Sequence, residues 1–415
     1  MKTAELHRFV AARTISMLGD RAAETALPII LLLVTDSPLV ASLVTASNIL
    51  PTLLFSLPIG HLVDTRERRR LMITADVWRA ILGFGLALAL LAPEPSIVLL
   101  VGITFLMGCG DVLFSVSAQA YLPALVPSTR IMRANTAIEA GDAAATLTGP
   151  ALAGVLVSRF PNPVALTVNA GSFVVSAALL TRLPTAVAAR AHNQRSEAAP
   201  ASNQRDVLAG FRLLVTERAQ RLLQLACLYM HLSAATCVLL TVALSVQKLH
   251  LSPLRVGLIL SAAGVGGLLV TLLVVRFVEH LLWGPLLGVA LCGLAGSFFW
   301  LAAAQGFFSA FFAVLCMDAC SAFAFITAGS VRQVFTPTLL LGRLTAATGL
   351  VNAAVRAIGV LGSGAVVAWL GARMTAAVLG IIGLVCAVPL LMARSARHPV
   401  AGDPARVPTS HVPAE

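Results

Sequence analysis

The chain has 415 residues, of which 58% are hydrophobic and 11% charged, with a formal net charge of +11 and a mean hydropathy of +0.91. No water-soluble fold can hide that much apolar surface, so lipid is the solvent for most of it. The basic excess does not point to nucleic acid, because the arginines are dispersed at the ends of apolar runs with few aromatics among them; positive charge beside a cytoplasmic leaflet accounts for it.

Runs of the roughly 20 residues needed to cross about 30 Å of hydrocarbon recur along the chain. They predict twelve membrane-spanning helices, at 10–33, 38–61, 71–92, 96–119, 135–158, 163–182, 220–246, 254–277, 284–303, 306–330, 344–369 and 373–393. The first run is preceded by Lys2, Glu5 and Arg8 and reaches Leu33, too long for a leader's apolar core, so no cleavable signal is expected. A short basic turn, Gly60 to Arg70, joins the second and third runs. Between the sixth and seventh lies the only long polar stretch, Pro184 to Glu217, rich in Ala, Arg, Asn, Gln and Ser. The organisation expected is an all-α integral membrane protein: one six-helix half over 1–183, a cytoplasmic linker over 184–217, a second half over 218–395, and an unstructured cytoplasmic tail over 396–415. The seven cysteines lie in apolar runs without CxxC spacing, so neither a disulfide framework nor a metal site is indicated.

Lys and Arg counts set the orientation. With the N-terminus inside, the cytoplasmic face receives Lys2, Arg8, Arg13, Arg66, Arg68, Arg69, Arg70, Arg130, Arg133, the linker arginines, Arg276, Arg332, Arg343 and the C-terminal arginines, whereas the outer face keeps Arg159, Lys248, Arg255 and Arg373. Both termini are therefore cytoplasmic. The halves also look related. Pro123 to Arg130 matches Pro337 to Arg343 at an offset of 214 residues, each leading into a helix with a mid-span glycine cluster. A nearly equal offset relates Asp64 to Glu279. Such a parallel repeat suits two transporter halves related by an axis along the membrane normal.

Charges deep in the spans are functional candidates, since an unpaired one costs from about 3 to more than 10 kcal/mol. Asp20, Arg21 and Glu24 lie near the middle of the first helix. Arg21 can neutralise one carboxylate, which leaves the other for reversible protonation or for a cationic substrate. Asp111 has no partner in its own helix. Asp142 and Arg356 occupy equivalent places in the two halves, and Asp318 and Arg356, both near mid-helix, are placed to pair. Glu139 lies near the cytoplasmic end, where Arg133 can meet it. Asp76 and Arg79, one turn into the third helix, read as a local ion pair. Asp64, Arg68, Arg69 and Arg70 in the short turn suit a helix cap or a breakable latch. In the fifth helix, Gly141, Gly149 and Gly154 allow close helix approach, and Pro150 frees a carbonyl and kinks the backbone. Asn48, Gln119, Asn169 and Asn352 can hydrogen-bond a substrate or another helix. His231 is the buried histidine placed for proton handling.

These motifs resemble the major facilitator superfamily. Gly60-x-Leu62-x-Asp64-x-x-x-Arg68-Arg69-Arg70 is similar to its loop motif after the second helix, with Thr65 in place of the usual basic residue and Glu67 in place of the usual glycine. Gly141, Gly149, Pro150 and Gly154 resemble the glycine–proline signature of its drug–proton antiporters. Arg13-Thr-Ile-Ser-Met-Leu-Gly-Asp20 with Ala26-Leu-Pro28 resembles the branch that exports siderophores and macrolides. The fourth helix lacks the intramembrane arginine of many proton antiporters. The resemblance implies proton-driven efflux of a small amphipathic compound, with Gly60, Asp64, Arg68, Arg69 and Arg70 gating the cytoplasmic side and the fifth helix sealing each side in turn. It also implies a monomer in the bilayer. Proton-coupled import by the same fold, and a membrane scaffold or sensor that does not transport, are the alternatives. No Walker A loop, HExxH or GxSxG motif occurs, so neither an ATP-driven pump nor an enzyme is expected, and no cofactor is implied. Abundant Ala and Arg fit a GC-rich bacterial genome, hence a bacterial inner membrane.

Overall fold

A computed structural model describes residues 3–126, 128–160, 163–184, 211–273, 282–336 and 338–393. They form helices throughout: α1 (Thr3–Thr35), α2 (Pro38–Thr65), α3 (Arg68–Ala89), α4 (Ile97–Leu125), α5 (Ser128–Arg159), α6 (Val164–Leu180), α7 (Arg218–Ala243), α8 (Pro253–Leu273), α9 (Trp283–Ala302), α10 (Phe307–Val334), α11 (Thr338–Leu370) and α12 (Ala372–Met392). A single π-turn, Leu244–Lys248, extends α7. Most of the linker, the 274–281 loop with Arg276 and Glu279, and the tail lie outside the described residues.

Local chemistry explains the corners. Asp36 takes a left-handed conformation (φ 49°), Ser37 caps α2 by accepting from the Val40 N–H at 3.4 Å, and Pro38 starts the helix where a missing N–H costs nothing. Gly371, at φ 79°, separates α11 from α12.

Ten of the described helices contain a stretch long and apolar enough to cross a membrane. The expected spans at α1 and α6 miss that standard for separate reasons. α1 carries too many charges, Asp20, Arg21 and Glu24 among them, and α6 has 17 residues. Several helices outrun their apolar stretches. α5 starts at Ser128 and α11 at Thr338, because polar surface turns continue the hydrogen-bond ladder beyond the hydrocarbon.

Packing divides the chain into two groups. In the first six helices α1 packs on α5 and α6, α2 on α4, and α3 on α4 and α6. In the last six α7 packs on α11 and α12, α8 on α10, and α9 on α10 and α12. The groups meet along two seams, α2 with α11 and α5 with α8. Glycines make the seams. A Cβ on Gly154 would sit 2.8 Å from the Pro253 carbonyl; one on Gly257 would sit 2.9 Å from Gly154 Cα; one on Gly264 would sit 2.8 Å from Leu147 Cα; and one on Gly364 would collide with Ser42. Among the described residues these approaches between groups run from mid-span to the end away from the basic α2–α3 turn. Gln247, on the π-turn, donates to Asp36 at 3.2 Å at that same end. The bundle is thus sealed at the end opposite the basic turn.

Candidate functional site

Arg79 is the centre of the first six helices. Its side chain is only 3% exposed. Nη1 donates to Asp111 on α4 at 3.0 Å and lies 3.8 Å from Asp20 on α1, while Nη2 donates to Asp76, one turn back on α3. The guanidinium also sits over two rings, 4.5 Å from the centroid of Phe114 on α4 and 4.2 Å from that of Phe173 on α6. On the far side of Asp111, Asn48 on α2 donates to its other oxygen at 3.0 Å. The two glycines near Asp111 allow this convergence. A Cβ on Gly110 would lie 2.7 Å from Arg79 Cγ, and one on Gly108 would strike the Asn48 carbonyl.

The charge arithmetic is unequal. One guanidinium faces three carboxylates from three helices, so the group has two negative charges in excess when every member is ionised. Asp76 is wholly buried, whereas Asp20 and Asp111 are 35% and 37% exposed. In a low-dielectric setting such an excess is relieved by bound protons or by a cation. Spacing along the sequence reads Asp76 and Arg79 as a local pair and so misses the hub; the arginine absent from α4 is supplied to Asp111 by α3.

The neighbouring charges on α1 resolve differently from Asp20. Arg21 donates to Glu24 at 3.1 Å and to Asp142 on α5 at 3.0 Å. Gly149 makes room for this, since a Cβ there would lie 2.6 Å from Arg21 Cβ. Gly141 does the same two turns earlier on α5, where a Cβ would collide with Thr14 on α1. The α5 motif therefore splits in two: Gly141 and Gly149 face α1, whereas Gly154 and the Pro150 carbonyl face α8. Glu139 forms no salt bridge with Arg133, contrary to the expectation; both are exposed on α5.

In the basic turn, Arg68 donates to the Ala120 carbonyl at 3.0 Å. Arg69 donates to Leu180 at 3.0 Å and also to Thr181. These carbonyls belong to the C-terminal turns of α4 and α6, where the helix dipole favours a cation. Arg70 pairs with Glu67 at 2.6 Å and is largely exposed. Asp64 is exposed in the last turn of α2. A Cβ on Gly60 would meet no atom within 4 Å, so no close approach requires glycine there.

The last six helices contain one carboxylate, Asp318, and it does not pair with Arg356. Asp318 faces α8, where it accepts from the Gly267 backbone. Arg356 lies on α11, which packs on α2, α7 and α12 and not on α8, the helix that Asp318 faces. Equivalent depth was legible in the sequence; the facing direction was not.

Helices of bilayer length, two groups meeting along glycine seams, and a charge cluster buried within one group define a polytopic membrane transporter. The chain belongs to the Major Facilitator Superfamily, whose family model matches residues 9–360. Among curated proteins, it is 29% identical over 180 residues to the uncharacterized MFS-type transporter YfiS of Bacillus subtilis, a match spanning 43% of this chain and 42% of that one. It is 25% identical over 148 residues to macrolide efflux protein A of Streptococcus pyogenes, 36% of each chain. Each match thus spans less than half of the relative's own length. Among solved structures, a bacterial homologue of the iron transporter ferroportin in an inward-facing state aligns with a TM-score of 0.70 at 17% identity, over 95% of this chain and 100% of that one. The D-xylose–proton symporter aligns with a TM-score of 0.70 at 16% identity, over 97% and 100%. These likenesses show the fold.

Proposed function

We propose that the chain is a proton-driven exporter of a small amphipathic compound such as an antibiotic or siderophore, working by alternating access as a monomer in a bacterial inner membrane. The observation that carries this reading is the Arg79 cluster. Protons are a natural means of relieving this excess of negative charge, and each proton bound removes one of the carboxylates that compete for Arg79. Export is favoured by the efflux function named for the Streptococcus pyogenes relative.

Helix pairings that recur with labels shifted by six (α1–α5 and α7–α11, α2–α4 and α8–α10, α3–α6 and α9–α12) support two related halves, 1–183 and 218–395, joined by the 184–217 linker. With the basic turn and both termini cytoplasmic, the sealed end is the outer one, and the conformation described faces inward. In the outward-facing state Asp64 with Arg68, Arg69 and Arg70 would latch the cytoplasmic end. The α5 face carrying Pro150 and Gly154 would open and close the outer seam. A proton from outside neutralises Asp20 and favours return to the inward-facing form. The driving term is about 2.3 kcal/mol per charge per 100 mV.

The test is accumulation of fluorescent amphipathic cations, macrolides and siderophores in efflux-deficient cells, comparing wild type with Asp20→Asn, with and without a protonophore. Reduced accumulation that both treatments abolish is expected. Protonophore-insensitive export, or wild-type export by the variant, refutes proton coupling through Asp20. Uptake of any member driven by an inward proton gradient reverses the direction assigned.

A further inference from the structure

Among the last six helices, Arg332 on α10, Arg356 on α11 and His231 on α7 are charged or titratable groups that the Arg79 cluster does not use. Gln224, Cys227 and His231 fall on one face of α7 at i, i+3 and i+7. Gln224 donates to Asn352 on α11 at 2.8 Å, and Arg332 on α10 donates back to Gln224 at 3.1 Å. Further along, a Cβ on Gly359 of α11 would lie 3.0 Å from Ala235 on α7. These two contacts fix the register. Arg356, one turn beyond Asn352, comes level with the part of α7 between Gln224 and Ala235, the part that carries His231.

Among the described residues no carboxylate pairs with these groups. Arg356 is exposed and has no hydrogen bond or salt bridge among the described residues. Arg332 has no salt bridge there either, and its Nε is buried without a partner. His231 has its Nδ1 2.7 Å from the Cys227 carbonyl and its ring edge-on to Phe325 at 5.1 Å, which leaves Nε2 unpartnered among the described residues. The one carboxylate of these helices, Asp318, faces α8. A guanidinium in the middle of a membrane helix is costly against lipid, so Arg356 belongs to a watered cleft, where its donors are free to take an anion from outside the protein. Its planar fork matches a carboxylate.

We infer that Arg356, with His231 beside it and Arg332 nearer the basic end, receives the carboxylate of the transported compound, so that the substrate is an amphipathic acid or zwitterion. This deepens, and rests on, the exporter reading above.

The test uses the purified full chain in phosphatidylcholine nanodiscs and three fluorescent probes that share one dansyl-lysine body and differ in charge: Nε-dansyl-lysine, its methyl ester, and its Nα-acetyl derivative. The two acids are expected to bind at least about tenfold more tightly than the ester. That ratio should collapse in Arg356→Gln and be partly kept in Arg356→Lys, which retains the charge without the fork. The lysine variant carries the test if the glutamine variant does not fold. Equal binding of acid and ester, binding of none of the three, or an acid preference that survives loss of Arg356 overturns the inference. The exporter reading fails separately. An acid preference without protonophore-sensitive efflux in cells removes export and keeps the site; the reverse keeps export and removes the site.

Discussion

Replacing Arg79 with glutamine removes the cation that, among the described residues, joins α1, α3 and α4. In the wild type it contacts Asp76, Asp111 and Asp20 and lies over Phe114 and Phe173. Stripping one partner from a buried ion pair costs about 3–5 kcal/mol, and the desolvated ring contacts add about 2 kcal/mol. The full electrostatic cost applies to Asp76, which is wholly buried; water screens the shares of Asp20 and Asp111, each about a third exposed. A net loss of about 5–7 kcal/mol follows. The variant leaves three carboxylates facing one another with no guanidinium between them. Adding Asp76→Asn to Arg79→Gln should recover part of the loss at neutral pH. Thermal unfolding in detergent, followed by tryptophan fluorescence, reads both effects. A variant that melts with the wild type would refute the hub.

Three further outcomes follow from the same geometry. Gly257→Val should slow export at least about tenfold, because its side chain meets the α5 backbone at Pro150 and Gly154 and holds the seam open, whereas Gly102→Ala, with open space around it, should export at the wild-type rate. Arg69→Gln should lower thermal stability by about 1–3 kcal/mol through loss of its bonds to the end of α6, and Arg70→Gln, in an exposed pair, by less than about 1 kcal/mol; equal losses would remove the distinction between them. Gly149→Leu should reproduce the transport defect of Asp142→Asn, since both separate Arg21 from Asp142, and an active Gly149→Leu protein would refute the positioning role of that glycine.

The helices were legible because hydrophobic run length is a one-dimensional property. The membrane requires it of every span, and α3, α9 and α12 lie within three residues of their expected limits. The polar ends were less legible, because a helix continues past the apolar stretch at no cost in interfacial water, as the starts of α5 and α11 illustrate. Candidate charges could be found by depth alone, and Asp20 and Asp111 were. Their partners could not. Whether Arg79 serves Asp76 in its own helix or Asp111 across a helix pair depends on which face α4 turns towards α3. That is decided by Gly108 and Gly110, which sequence alone reads as ordinary small residues. The same limit explains the failed pairing of Asp318 with Arg356, where depth agreed and direction did not.

One helix joins the Arg79 cluster to the α5–α8 seam. α1 brings Asp20 to Arg79, Arg21 to Asp142, and Thr14 against Gly141, and its C-terminal turn meets Gln247 beside the sealed end through Asp36. Its contacts with α5 are close enough that neither Gly141 nor Gly149 can bear a side chain without displacement, so α1 and α5 must move as a pair. α5 in turn carries Gly154 and the Pro150 carbonyl into the seam with α8. In the proposed cycle a change of charge at Asp20 would therefore act on a pair whose other face is the seam, and rocking of that pair would carry it to the end opposite the basic turn without any long-range bond rearrangement. The coupling rests on packing that small residues permit, with the charges serving as the trigger. On this view a bulky residue at Gly149 and a neutral one at Asp20 disable the same motion from opposite ends. Combining Gly149→Leu with Asp20→Asn should then cost little more than either alone, and additive losses would separate the two elements.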